Sequence, residues 1–261
     1  MDAEIAAVLA GERRWAMLRA DNADVLPTLP EKSVDHLITD PPYEDQAHTK
    51  QRRVKREGGA METKALSFSP ISDAERVWVA TQMARLALRW IVAFCQVEAA
   101  VRWSDALSDG GAVTRRIGVW IKPDAMPQFT GDRPGMGYES IVFAHAKGRS
   151  RWNGGGRVGV FHHNKNTPGG AHHHETQKPL PLMLELVELF TDPGDLVLDP
   201  FCGSGTTGVA CLRLGRRFIG IERDEKYARV ATERLEAEVR GLSLRDARAG
   251  QTSIFDTLGA P

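Results

Sequence analysis

Short apolar runs closed by acidic or proline residues alternate along this chain with longer stretches whose apolar positions recur every three to four residues. The first kind reads as buried strand and the second as amphipathic helix, so the pattern predicts an α/β chain. Residues 5–9 read as a short helix, 15–19 as a strand and 34–39 as a second strand. Residues 72–90 carry Trp78, Met83, Leu86 and Trp90 at helical spacing and predict an amphipathic helix whose aromatics belong to the core. A strand over 91–96 follows, then a helix through Leu107 that Gly110 and Gly111 end. Residues 113–122 and 138–144 predict a hairpin pair around a Pro/Gly-rich loop at 123–137, and beyond it come a helix at 179–191, strands at 195–199 and 217–221, and a closing helix at 227–240. Residues 44–70 are polar, glycine-containing and long, and they read as a loop.

Two motifs add chemistry to this outline. The strand Val34-Asp35-His36-Leu37-Ile38-Thr39 ends in Asp40-Pro41-Pro42-Tyr43, which offers an anionic acceptor, a backbone carbonyl stiffened by the following proline, and an aromatic face. These suit the exocyclic amine of a flat base, whose lone pair is delocalised into the ring. Acceptors on its two hydrogens, the Asp40 carboxylate and the Pro41 carbonyl, would draw the nitrogen toward tetrahedral geometry and free that pair for attack. A rigid turn is the other use for two prolines and a tyrosine. Far downstream, Asp199 closes an apolar strand and is followed by Pro200-Phe201-Cys202-Gly203-Ser204-Gly205-Thr206-Thr207-Gly208, a G-x-G-x-x-G pattern, and Glu222 ends the next strand where an acid for ribose hydroxyls is expected. Alone this second motif fits a dinucleotide as well as S-adenosylmethionine. An amine poised for attack needs an electrophile, and the sulfonium methyl is one, so the pair of motifs points to S-adenosylmethionine.

With both motifs in that order, the chain resembles the β group of DNA amino-methyltransferases, in which the catalytic motif precedes the cofactor motif. Three further segments carry the resemblance: His174-Glu175-Thr176-Gln177-Lys178-Pro179 before the cofactor strand, Ala20-Asp21-Asn22 ahead of Leu29-Pro30, and Trp120-Ile121-Lys122 through Glu139-Ser140-Ile141-Val142. The chain departs from the family in Asn22, where a small residue is usual, and in an unusual stretch at 147–173 where target recognition belongs. The resemblance implies a seven-stranded, mostly parallel, Rossmann-like methyltransferase sheet in circularly permuted order, filling a domain at 1–240 ahead of a flexible tail at 241–261. It implies double-stranded DNA as substrate, a base flipped out of the duplex, and direct in-line transfer; a homodimer is a further expectation. Asp40 and Pro41, with Pro42 behind them, would hold the amine while Tyr43 stacks on the base. Phe201, Gly203, Ser204 and Gly205, with Asp199 and Asp40, would shape the cofactor pocket; Thr206 or Thr207 with Lys178 would take the methionine carboxylate, Glu222 the ribose, and Asp21 beside Asn22 the cofactor's adenine amine. Aspartate at the head of the tetrapeptide goes with adenine N6 in this family and serine with cytosine N4, which leaves N4-cytosine as the alternative target. A catalytically silent DNA-binding protein of the same fold is the alternative from outside enzymes.

Bulk properties refine this. A chain of 261 residues that is 42% hydrophobic can bury one substantial core. No run reaches the length of a membrane span and Met1-Asp2-Ala3-Glu4 lacks a signal peptide's basic start, so no membrane partner and a cytoplasmic setting are expected. Cys95, Cys202 and Cys211 show no paired spacing and read as small core residues. The 34 basic and 34 acidic residues cancel, so a DNA face must come from clustering. Lys50, Arg52, Arg53, Lys55 and Arg56 cluster in the 44–70 stretch that leaves the catalytic motif, and are expected on phosphates. Arg133 in the 123–137 loop, and Arg149 and Arg151 in the region at 147–174, are expected to join them. That region also holds five histidines, but without a nearby cysteine or a helical i, i+4 pair they read as hydrogen-bonding tips and not as a metal site. In the tail, Gln251-Thr252-Ser253-Ile254-Phe255 resembles the short motif by which bacterial replication and repair proteins dock on the sliding clamp; packing of Ile254 and Phe255 on their own domain is the other reading.

Overall fold

The computed structural model describes residues 1–44, 52–55, 61–64, 70–165 and 177–250. Its strands are β1 Trp15–Arg19, β2 His36–Thr39, β3 Arg52–Lys55, β4 Met61–Lys64, β5 Trp90–Cys95, β6 Val113–Ile121, β7 Tyr138–His145, β8 Val160–His162, β9 Leu196–Asp199 and β10 Arg217–Glu222. Its helices are α1 Ala3–Leu9, α2 Asn22–Val25, α3 Asp73–Leu86, α4 Ala100–Asp109, α5 Leu180–Phe190, α6 Thr206–Arg213, α7 Glu225–Val239 and α8 Leu244–Arg248.

The main sheet runs β1-β10-β9-β2-β5-β7-β6-β8. Every neighbouring pair is parallel except those that β7 makes with β5 and β6, so β7 alone is reversed. A mostly parallel sheet needs cover on both faces, and its central strands β2, β5 and β9 are therefore buried along their whole length. On β5, Ile91, Ala93 and Cys95 enter one core with α1, α3 and α4, while Val92 and Phe94 enter the other with α5, α6 and α7. The seven expected strands are joined by an eighth, β8, which pairs with β6 from Val119↔Val160 to Ile121↔His162. The centre of the stretch where target recognition was expected is thus a sheet edge. Gly118 makes the pairing close, since a Cβ there would stand 2.5 Å from the Gly159 carbonyl oxygen.

Three further expectations change. The helix predicted to reach Trp90 stops at Leu86, because Ala87 turns to extended backbone and the next amides, Leu88 and Arg89, bond the Val34 and Asp35 carbonyls; Trp90 opens β5. Within the predicted 44–70 loop, β3 and β4 pair antiparallel, Arg52 opposite Lys64. Past residue 240, α8 forms inside the expected flexible tail and Arg248 bonds Glu233 of α7 at 2.9 Å. Residues 251–255, with the clamp-like sequence, and His172, His173 and His174 lie outside the described residues. Among the described residues, no helix is long and apolar enough to cross a membrane.

Candidate active site

The strand order reverses direction between β9 and β2: from β9 the chain winds outward through α6 to β10, and from β2 it winds the other way to β5. Loops leaving the carboxyl ends of two such strands diverge and open a crevice between them. The two sequence motifs sit on these two ends. A cavity of about 970 Å³ opens there, bounded by Asp40, Pro41, Pro42 and Tyr43 on one side and by residues 199–204 with Thr206 and Thr207 on the other. Asp21, Asn22, Lys178 and Glu222 also line it. So do Trp78 and Ile71, which extend the apolar wall; Trp78, expected wholly in the core, packs against the core and faces the cavity as well.

The glycine loop is built by backbone requirements. Gly203 and Gly205 adopt φ of +52° and +83°, a region that disfavours a Cβ, and Gly205 starts α6. Gly208 serves packing instead: a Cβ there would lie 2.6 Å from the Phe218 ring and 2.7 Å from Leu235, so β10 and α7 close on this glycine. Glu222 accepts from the Gly203 amide at 2.9 Å and from the Asp224 amide at 2.8 Å, which fixes its carboxylate at the cavity wall; burial pushes its pKa up. Asp21 caps α2 through the Ala23 amide at 2.9 Å, and the Asn22 amide reaches the Pro200 carbonyl at 3.5 Å.

Asp199 is a tie between the two halves of the site. It accepts from Thr39 and Thr207 hydroxyls, each at 2.7 Å, and from the Phe201 amide at 3.1 Å. Burial raises its pKa to about 6 against these three donors. Thr207 is therefore occupied by Asp199, and Thr206 receives the Arg234 guanidinium at 3.1 Å. Lys178, expected beside them on a carboxylate of the cofactor, instead puts its ammonium 2.5 Å from Asp40 Oδ2 and 3.2 Å from Glu139. Lys178, Thr206 and Thr207 all line the cavity, each already engaged by a partner within the protein.

Asp40 is the chemically distinctive group. Burial raises its pKa while Lys178 pulls it down, and its Oδ1 is buried with no hydrogen-bond partner. The Tyr43 hydroxyl lies 3.4 Å from the Lys178 ammonium, and burial pushes the phenol well above its ordinary range. Glu139 on β7 and its partner Lys122, just past the end of β6, complete the charged group; sequence reading noted both only as parts of strands. The available signal was a carboxylate and an ammonium at the ends of two apolar strands. Also missed was the neck of the 44–70 stretch: the Ile71 amide bonds the Tyr43 carbonyl at 3.2 Å, and buried Glu44 binds Arg76 and Arg102.

The basic residues divide. Arg133 stands exposed at the catalytic edge, on the loop that joins β6 to β7, paired with Asp132 at 2.7 Å. Arg149 is exposed and Arg151 lies 3.9 Å from Asp192, beside the start of β9, so both stand at the edge of the sheet opposite Asp40 and do not join the site. Arg52, Arg53 and Lys55 fall on β3, whereas Lys50 and Arg56 lie outside the described residues.

Known proteins resemble this chain in sequence and in fold. The family model N6_N4_Mtase, described as DNA methylase, matches residues 34–233. The chain is 37% identical over 150 residues to the type II methyltransferase M.XycI of Xanthomonas campestris pv. cyanopsidis, which covers 52% of this chain and 49% of that protein. It is 35% identical over 147 residues to M.Cfr9I of Citrobacter freundii, with 52% and 49% covered. It thus spans about half the length of these curated relatives. Among solved structures, the M1.HpyAVI–SAM complex superposes with a TM-score of 0.63 at 27% identity, covering 85% of this chain and 98% of that one. The cytosine-N4-specific PvuII DNA methyltransferase, 16% identical with a TM-score of 0.65 over 92% of this chain and 94% of its own, shares the fold.

Proposed function

The chain belongs to the N6/N4 DNA methylase family, and on that premise we propose that it transfers a methyl group from S-adenosylmethionine to the exocyclic amine of a base flipped out of double-stranded DNA, with adenine N6 as the target. The observation that carries this reading is the meeting of Asp40-Pro41-Pro42-Tyr43 with the glycine loop around one cavity. A buried carboxylate oxygen without a donor, Asp40 Oδ1, is costly unless something supplies one. The amine of a target base does so.

The residues present fit the cofactor. Gly203 and Gly205 let the backbone approach closely, and Glu222, held by two backbone amides, keeps acceptor capacity for ribose hydroxyls. Asp21 and Asn22 stand on the cavity wall for the adenine end. When bound, the cofactor supplies an electrophilic methyl group. Asp40 and the Pro41 carbonyl orient the amine, and Pro42, Tyr43 and the apolar wall at Ile71 and Trp78 exclude water from the transfer. Adenine is favoured over cytosine because the tetrapeptide begins with aspartate; that preference rests on the family resemblance at this single position.

Asp40→Ala tests the chemistry. Cofactor affinity by calorimetry should stay within a few-fold, while methyl transfer to unmodified DNA should fall by about two to three orders of magnitude, the scale for removing one preorganised electrostatic partner. Undiminished transfer by the variant contradicts the assignment. Cofactor binding by the natural chain without any transfer would favour a silent DNA-binding protein of the same fold.

A further inference from the structure

Asp40 ends a largely buried row of four charges, two from the β6–β7 hairpin and one each from the segments at 40 and 178. Lys122 at the end of β6 binds Glu139 near the start of β7, Glu139 lies 3.2 Å from the Lys178 ammonium, and Lys178 lies 2.5 Å from Asp40 Oδ2. The signs alternate and sum to zero. A neutral row survives burial, whereas taking out one member strands a charge. Lys178 is 7% exposed, and its ammonium sits over the Phe94 ring at 5.0 Å and near the Tyr43 ring at 5.6 Å. The ammonium donates to Asp40 and the Tyr43 hydroxyl, and Glu139 Oε2 stands beside it as an ion-pair neighbour with no hydrogen bond of its own. On the Asp40 carboxylate the result is asymmetric: Oδ2 is held and Oδ1 has no partner.

We propose that Lys178 and Glu139 are positioning residues for Asp40, the lysine engaging one carboxylate oxygen and the glutamate fixing the lysine, so that the other oxygen is presented as a charged acceptor to the target amine. The inference rests on the reading of the site given above. Its physical content is that the acceptor must be ionised, because a protonated carboxyl at that oxygen would offer a donor to an amine that has only donors to give. Burial works against ionisation, and so does Glu139, while Lys178 favours it. The other titratable groups around Asp40 are Lys122 on β6, Cys95 on β5, Asp199 on β9 and Tyr43 in its own segment; of these only Lys122 carries positive charge, and it lies behind Glu139.

Two substitutions then move the reaction's pH dependence in opposite directions. Lys178→Met leaves Asp40 facing Glu139 without the intervening cation, so the acid limb of the single-turnover rate should move up by one pH unit or more, a tenfold loss for each unit at pH values below the limb. Glu139→Gln removes the opposing carboxylate and should move the limb down. The double variant should lie between Lys178→Met and the natural chain. Rates are measured with saturating labelled S-adenosylmethionine on long unmodified duplex DNA, and cofactor affinity is measured alongside by calorimetry. If Lys178→Met does not fold, the downward shift in Glu139→Gln carries the test. Unshifted limbs in the folded variants, or a loss of cofactor affinity in Lys178→Met with its limb unmoved, overturn the inference and return the lysine to the cofactor's carboxylate. Failure of the underlying function shows earlier, as absence of transfer by the natural chain.

Discussion

At the scale of the residue, the site is governed by how carboxylates are buried. Asp40, Asp199, Glu139 and Glu222 all largely leave water, and their partners differ: Asp40 and Glu139 each keep a buried oxygen without a donor beside an ammonium, Asp199 has three donors, and Glu222 is held by backbone amides. Asp199 gives a stability prediction. Its native pKa is about 6 against an ordinary 3.8, so between those values the native state holds a proton that the unfolded chain has released. Stability from this group is therefore greatest at low pH and declines as pH rises from about 4 to 6, by up to about 3 kcal/mol. Asp199→Asn keeps an acceptor for Thr39 and the Phe201 amide, and Thr207 can reverse its hydroxyl. In urea unfolding of the ligand-free protein, the stability of Asp199→Asn relative to the natural chain should rise across that window; a flat difference would show that Asp199 ionises without cost. The sequence made Asp40 and Asp199 visible because each closes an apolar strand. It hid the row behind Asp40, because Lys122 and Glu139 flank the loop of one hairpin while Lys178 arrives from the segment before α5, and no sequence pattern links that segment to the hairpin.

Elements were legible where their pattern was long and obscured where burial erased it. The helix at 72–86 was announced by its spacing, and the structure adds a Ser72–Glu75 capping box at its start. Its apparent continuation to Trp90 came from the turn after Leu86 and the start of a strand buried on both faces, which does not alternate and so imitates helical spacing. β8 was hidden for a different reason: three residues in a glycine- and histidine-rich stretch carry no period, and only a close approach between Gly118 and Gly159 reveals why a strand forms there. The basic run lies on and around β3, a strand of a hairpin whose stretch is closed at its neck by Tyr43, Ile71 and the Glu44 ion pairs. Neutralising Lys50, Arg52, Arg53, Lys55 and Arg56 together should weaken binding to target and non-target duplex alike. It should also flatten the salt dependence by up to about 0.9 in log–log slope for each phosphate that the chain ceases to neutralise. An unchanged slope would make the run a solvated surface.

For the whole molecule, the order of the two motifs along the chain and their meeting in space express the same fact. A permuted sheet brings the catalytic strand first and the cofactor strand late, and the reversal of winding between β9 and β2 returns both to one crevice. That much follows from pattern and motif order. Target choice does not, since the segments that would read DNA include Arg133 on an exposed loop and basic residues around β3 and share no periodicity with the core. The decisive measurement is to express the natural chain and Asp40→Ala in a host without DNA methylation and sequence the genomic DNA by a method that reports modified bases. The natural chain should leave N6-methyladenine at one short recurring sequence and the variant almost none. N4-methylcytosine would move the target within the same chemistry; a genome unmodified by a folded, cofactor-binding natural chain would contradict DNA amine methylation as its function.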